Sequence, residues 1–213
     1  MCRILYVESK QHFNPSHILK SFARMAKNST EYQGHGWGCA WWEEDGWNTY
    51  WTIRPVWKDN PDRIPQTNRL LVHARSAFRD QGIAIENNMP FIQQGTVFIF
   101  NGELHGVRLQ AEGRIGAEKI FNFILRFNKG NLLSAVQRAV LIIVKRSSYI
   151  RALNFIIADA KQTVLNSLFN EQPDYFTMFR YHDEDRLLVC SEPLDLFNEW
   201  QPIANQTLEE IQL

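Results

Sequence analysis

Cysteine is scarce in this chain: Cys2, Cys39 and Cys190 are the only three in 213 residues. An odd count at wide spacing supplies neither a disulfide framework nor a CxxC zinc pair. A reducing cytosol is the simplest compartment for such a chain, and a cytoplasmic location is expected. The six histidines, His12, His17, His35, His73, His105 and His182, form no HxH or HxxxH pair, so no metal site is expected. Excess charge is missing as well. Lys plus Arg number 23 and Asp plus Glu 23, with a pI near 7.0. No basic field is present to hold a phosphate backbone, which argues against nucleic acid as a partner. Nor is there a Lys/Arg-rich amphipathic segment for a membrane surface, or an apolar run of about 18 residues to cross one. The start, MCRILYVESK, lacks a basic leader followed by an apolar stretch. No signal peptide is expected there, and the mature chain is expected to begin at position 1 or 2. A GxSxG elbow and a Lys-Ser/Thr phosphate loop are both absent, and no cofactor is expected.

What remains is an ordinary globular composition, 45% hydrophobic and 22% charged, of a size that fits one domain over 1–213. MCRILYV reads as a strand. Residues 15–27 place Ile18, Leu19, Phe22 and Met25 on one helical face, with Pro15 near the start. GWGCAWWEEDGWNTYWTIRPVW predicts a hairpin about Asp45-Gly46, and 58–68, with two prolines and no period, predicts a loop. RLLVHAR (69–75) and TVFIFNGEL (96–104) read as strands. Helical spacing recurs over 116–128 and 131–146, followed by three strand-like runs, LNFIIAD, DYFTMFRYH and RLLVCSE. Between the last two runs, Asp183-Glu184-Asp185 predicts a hairpin turn. Strands, two helices and strands again predict a layered α+β domain.

Several residues can carry chemistry. Met1 is normally excised when the second residue is small. Excision would leave Cys2 with both a thiol and a free α-amine, whose ordinary pKa of about 7.7–8.0 makes it partly unprotonated at neutral pH. One residue then supplies a nucleophile and its general base. Arg75 ends a strand, where a guanidinium can fork onto a carboxylate; an ordinary surface ion pair is the plainer alternative. Asn101-Gly102 closes another strand. A side-chain amide beside a Gly backbone N–H can form an oxyanion hole, although Asn-Gly is also the commonest hairpin signal. His35-Gly36-Trp37-Gly38 fails as a phosphate loop, but its glycines suit a segment bending closely over a pocket.

The order of these signals is specific: Met-Cys-Arg, Gly-Trp-Gly before a strand, His-Ala-Arg-Ser ending one, Glu-Asn with Pro-Phe, Phe-Asn-Gly-Glu-Leu, and Cys-Ser-Glu-Pro-Leu. Together they resemble the class II glutamine amidotransferase domain, one of the N-terminal-nucleophile hydrolases, in its short stand-alone form, from Cys2 to about Leu194. The resemblance implies a four-layer αββα sandwich of two antiparallel sheets. It implies that Cys2 attacks a side-chain amide and forms a thioester, and that Asn101 and Gly102 hold the oxyanion. It further implies that Arg75, with Ser76 beside it, binds the α-carboxylate of glutamine and that Gly36 and Trp37 line the pocket. The expected substrate is a small molecule, glutamine or a γ-glutamyl amide, and a partner synthase could receive the ammonia.

Three positions depart from the family's pattern. Gly116, in Ile115-Gly116-Ala117-Glu118, stands where an Asp usually meets the α-ammonium of glutamine; either the substrate's α-nitrogen is acylated or otherwise uncharged, or a carboxylate such as Glu112 or Glu86 replaces the Asp. The usual Thr-His-Pro-Phe is Asn88-Met89-Pro90-Phe91, and the usual His-Asn-Gly is Phe100-Asn101-Gly102. A non-catalytic subunit that keeps the fold as an interaction scaffold is the alternative of another class. Gly116 favours that alternative; the retention of Cys2, Arg75 and Asn101-Gly102 speaks against it.

Overall fold

Alternation along the first strand decides how the layers stack. In β1 (Arg3–Phe13) Leu5 and Val7 turn one way and Ile4 and Tyr6 the other. Leu5 and Val7 meet α1 (Ser16–Asn28), whose Ile18, Leu19, Phe22, Met25 and Ala26 form its buried stripe. Tyr6 points to a second sheet, where its hydroxyl lies 3.0 Å from Thr163 Oγ1. These coordinates, a computed structural model, describe residues 1–44, 46–77 and 81–213. Asp45, half of the expected hairpin dipeptide, lies outside the described residues.

The first sheet has seven strands in the order β11-β9-β10-β1-β4-β2-β3. Its members are β2 (Trp37–Glu43), β3 (Gly46–Thr52), β4 (Thr67–Ala74), β9 (Phe179–His182), β10 (Arg186–Cys190) and β11 (Gln201–Pro202), with β1 near the centre. The second has five, β12-β8-β7-β6-β5: β5 (Phe91–Gln93), β6 (Thr96–His105), β7 (Tyr149–Ala158), β8 (Thr163–Ser167) and β12 (Thr207–Glu210). Every strand pairing is antiparallel. On the far side lie α2 (Gly116–Leu125) and α3 (Leu132–Arg146); Phe121 of α2 stacks on Phe98 of β6 at 5.3 Å. The architecture is therefore α+β, with α1, the two sheets, and α2 with α3 as its four layers.

Local signals explain the helices well. Asn131 Oδ1 accepts from Ser134 N at 2.8 Å and caps α3, an interaction contributing about 1 kcal/mol. Lys145 and Arg146 at its other end complement the helix dipole. Phe22 of α1 is completely buried, so Phe22→Ala would cost roughly 3–5 kcal/mol.

Two expectations need correction. The run DYFTMFRYH is not one strand. Pro173 opens a short helix, α4 (Pro173–Phe176), because its fixed φ suits a first helical position; only Phe179–His182 is extended. The stretch 58–68 is more ordered than a loop. It contains the end of one 3-10 turn (Val56–Lys58), a second (Pro61–Arg63) and the start of β4 at Thr67. Among the described residues no helix is long and apolar enough to cross a membrane.

Candidate active site

The adjacent strands β1 and β4 lie near the middle of the seven-stranded sheet, held by hydrogen bonds on both sides, and they carry the first candidates to neighbouring ends. Arg3 pairs with Ala74 and Ile4 with His73. Residues directly opposite in an antiparallel pair share a face, so His73 and Gly38, which pairs with it, face the second sheet with Ile4. Cys2 immediately precedes β1, and its Sγ lies 3.7 Å from the Ser76 carbonyl oxygen. The residue as a whole is half-buried. Burial among protein atoms pushes the thiol's pKa up; the nearby N-terminal charge, the contact with Ser76 and the Arg75 guanidinium oppose that rise. Cys39 and Cys190 are both buried, and burial pushes their thiols up as well.

Arg75 is buried, and among the described residues the partners of its guanidinium are neutral. Nη2 donates to Gly82 O at 2.8 Å; Nη1 donates to Asn88 Oδ1 at 3.3 Å and Ala84 O at 3.5 Å. Burial lowers its pKa, with the Cys2 thiolate the main opposing influence. Among the described residues it has no carboxylate partner. A buried cation held only by carbonyl oxygens is a natural seat for an anionic group.

Asn88 was named from the sequence only as a departure from the family's pattern, with no role of its own. It is nearly inaccessible and bridges Arg75 to the β3 end, donating from Nδ2 to Thr52 O at 2.7 Å. The same amide explains Gly36. At φ +113 a Cβ there would collide with Asn88 Nδ2 and lie 2.6 Å from Thr52 O. Gly36 O in turn accepts from Arg75 N at 2.9 Å, which ties the loop before β2 to the arginine. Trp37 departs from its expected place. It pairs with Ala74 and belongs to the α1 side of the sheet, where its Nε1 donates to Asp59 at 3.0 Å. Its ring is completely buried there and lines no space between the sheets.

The facing sheet contributes Asn101. Phe98 and Phe100 of β6 turn to the α2 side, so alternation turns Asn101 toward the seven-stranded sheet. Its side chain is completely buried, and among the described residues neither Oδ1 nor Nδ2 has a hydrogen-bond partner. Its cross-strand neighbour is Asn154, whose amide is fully used: Nδ2 donates to Phe176 O at 2.7 Å and Oδ1 accepts from Leu168 N at 3.0 Å. Next along β6, Gly102 admits no side chain. A Cβ would strike the Ala152 carbonyl oxygen and sit 2.6 Å from the Phe100 ring.

The short helix α4 links the two groups. Arg3 Nη1 donates to Tyr175 O at 3.4 Å, the Tyr175 hydroxyl donates to Met1 O at 2.6 Å, and Phe176 O takes Asn154 Nδ2. Gln33 was another residue not anticipated. It is completely buried, and its Nε2 donates to Met1 O at 2.6 Å and Glu31 O at 2.8 Å. Glu31 forms an ion pair with the Met1 ammonium.

Gly116 begins α2 at an exposed point, and a Cβ there would meet nothing within 4 Å. The adjacent charges are Arg114 and Glu118, paired at 2.6 Å, and the field of Glu86 reaches Arg114. Glu112 lines a cleft with Gln93, Gln94, Asn122 and Arg126, beside the C-terminal half of the same helix. Among the described residues no group of three His, Cys, Asp or Glu side chains could hold a metal ion.

No family model matches the chain, and no curated protein matches it in sequence. Solved structures do match in fold. A class II glutamine aminotransferase domain protein from Silicibacter pomeroyi superposes with a TM-score of 0.67 at 15% identity, covering 100% of this chain and 95% of that one. A predicted glutamine amidotransferase from Pseudomonas aeruginosa gives 0.60 at 16% identity, over 98% of this chain and 96% of the other. The glutamine phosphoribosylpyrophosphate amidotransferase of B. subtilis gives 0.65 at 12% identity; 89% of this chain matches 42% of that longer protein. The chain therefore has the fold of the class II glutamine amidotransferase domain, the N-terminal-nucleophile sandwich.

Proposed function

We propose that this chain is a cysteine amidohydrolase of the class II glutamine amidotransferase type, acting in the cytoplasm on glutamine or a γ-glutamyl amide. The observation that carries the reading is the buried, unpartnered amide of Asn101 on the face opposite Cys2 and Arg75. A buried polar group without a partner costs roughly 1–3 kcal/mol, and a ligand oxygen that supplies the partner accounts for it.

Cleavage begins with removal of Met1, which frees the Cys2 α-amine. That amine takes the thiol proton as Sγ attacks the amide carbon. Asn101 Nδ2 and the Gly102 N–H hold the oxyanion, and Arg75 holds the substrate carboxylate. Collapse breaks the C–N bond, and the α-ammonium returns the proton to the departing nitrogen. Water then attacks the thioester with the amine again as base; the C–S bond breaks, giving a carboxylate and the free thiol. The nitrogen passes to a partner synthase or to solvent. Burial raises the thiol's pKa, so a base is needed for this chemistry rather than a standing thiolate.

A glutamine-derived diazo-ketone tests the reading. It adds mass to the peptide containing Cys2 in an amidohydrolase. It leaves that peptide untouched in a scaffold that only keeps the fold, the alternative which the bare Gly116 position favours.

A further inference from the structure

We infer that the space holding Met1 is, after its removal, the subsite for the leaving amine of the substrate, and that it selects an amine bearing a cationic group on an apolar stem. The inference rests on the amidohydrolase reading and adds a substrate class to it.

The α-amine of Cys2 must hand a proton to the departing nitrogen, so that nitrogen has to lie within hydrogen-bond reach of it. Met1 is bonded to that same Cys2 nitrogen. The substituent on the departing nitrogen therefore extends into the volume that Met1 occupies. Three contacts describe what this volume accepts. The Met1 ammonium forms an ion pair with Glu31. The Met1 carbonyl oxygen takes hydrogen bonds from Gln33 Nε2 and the Tyr175 hydroxyl, each at 2.6 Å. The residue packs on a small apolar cluster of Ala152, Phe169, Tyr175 and Phe176.

Loss of Met1 takes a cation away from Glu31. Among the described residues, the Arg151 guanidinium lies 3.7 Å from it and is also bonded to Glu103 at 2.9 Å and to Gln172. The Cys2 amine does not replace the cation in the form that acts as base, because it is then neutral. Tyr175 remains a donor, since burial pushes its hydroxyl pKa up to about 12. The emptied cavity thus offers an aromatic wall ending in a carboxylate, the complement of an alkyl ammonium.

The test compares two γ-glutamyl amides with one acyl part. One carries a straight four-carbon diamine, the other n-pentylamine, so that a methyl replaces the terminal ammonium. With Met1 removal confirmed by intact mass, the diamine amide should give a kcat/KM roughly tenfold higher, as expected for one partly shielded ion pair. Glu31→Gln should bring the ratio of the two to within about twofold of one. Equal values in the unmutated protein, or a ratio that survives Glu31→Gln, would overturn the subsite while leaving the amidohydrolase intact. Absence of turnover with both amides removes that reading instead. Calorimetric binding of L-methioninamide to the Met1-free protein then judges the pocket alone: binding lost in Glu31→Gln upholds a cation-selective pocket, and no binding overturns it.

Discussion

Two polar regions lie between the same two sheets and are finished differently. In one, the Tyr6 hydroxyl meets Thr163 and Glu8, and Arg69 reaches Thr163 at 2.9 Å while lying over the rings of Trp42 and Trp47. In the other, among the described residues, the Asn101 amide is buried without a partner and Arg75 is held by neutral oxygens. In the first region polar side chains bond one another, although Arg69 Nε and Trp47 Nε1 there have no partner among the described residues. The second leaves a whole side-chain amide and a buried guanidinium with capacity for further hydrogen bonds.

The largest effect that could break this comparison is on rate. Cys2→Ala should abolish amide turnover while circular dichroism and melting temperature stay near those of the unmutated protein, because the change removes one sulfur atom from a half-buried residue ahead of a strand. Turnover by the alanine variant would end the account.

Within β6 and β7, two neighbouring asparagines should behave in opposite ways. Asn101→Ala should lower kcat by roughly 10²–10³ with little loss of stability, since its amide bonds nothing among the described residues. Asn154→Ala strips partners from Phe176 O and Leu168 N and should cost about 1–3 kcal/mol in denaturant unfolding. Equal destabilisation by both would show that Asn101 is a structural residue.

His73 sharpens the contrast through pH. Burial, assisted by Arg75, lowers its pKa from 6.5 to about 3. Above pH 6.5 the ring is neutral whether folded or unfolded. Between about 6.5 and 3 only the unfolded chain takes the proton, so stability falls as pH falls, by about 1.4 kcal/mol per pH unit from this group. Urea unfolding between pH 7 and 4 measures the slope, which His73→Leu should reduce.

The smallest effect concerns Gly116. The open position admits an Asp side chain, and Gly116→Asp should improve kcat/KM for free glutamine relative to N-acylated glutamine, by an ion pair worth about 1–3 kcal/mol. Efficient use of free glutamine by the unmutated protein, unaltered by the substitution, would mean that this position does not govern recognition.

Elements with a strong local period were legible in the sequence: α1, α2, α3, β6 and the β2–β3 pair. Others were not, for physical reasons. β5 has three residues, β11 two, and β8 and β12 gain their order from pairing across a sheet rather than from alternation. The run Asp174–His182 carries strand-like residues, yet Pro173 and its capping geometry made the first part helical. At the site, Cys2, Arg75 and Asn101-Gly102 could be singled out by residue type and order. Gln33, Asn88 and Tyr175 could not, because their meaning lies in contacts with distant segments: Tyr175 and Gln33 on Met1, Asn88 on Arg75. Trp37 was misplaced since a glycine-flanked aromatic gives no sign of which sheet face it takes.

The central claim is that Cys2 becomes a nucleophile when its own amine is free. Peptide mass spectrometry after treatment with the glutamine-derived diazo-ketone, on Met1-free and Met1-bearing preparations side by side, tests it most directly. The account predicts stoichiometric labelling of Cys2 in the first and almost none in the second. Equal labelling of both, or labelling of Cys39 or Cys190 in place of Cys2, would contradict it.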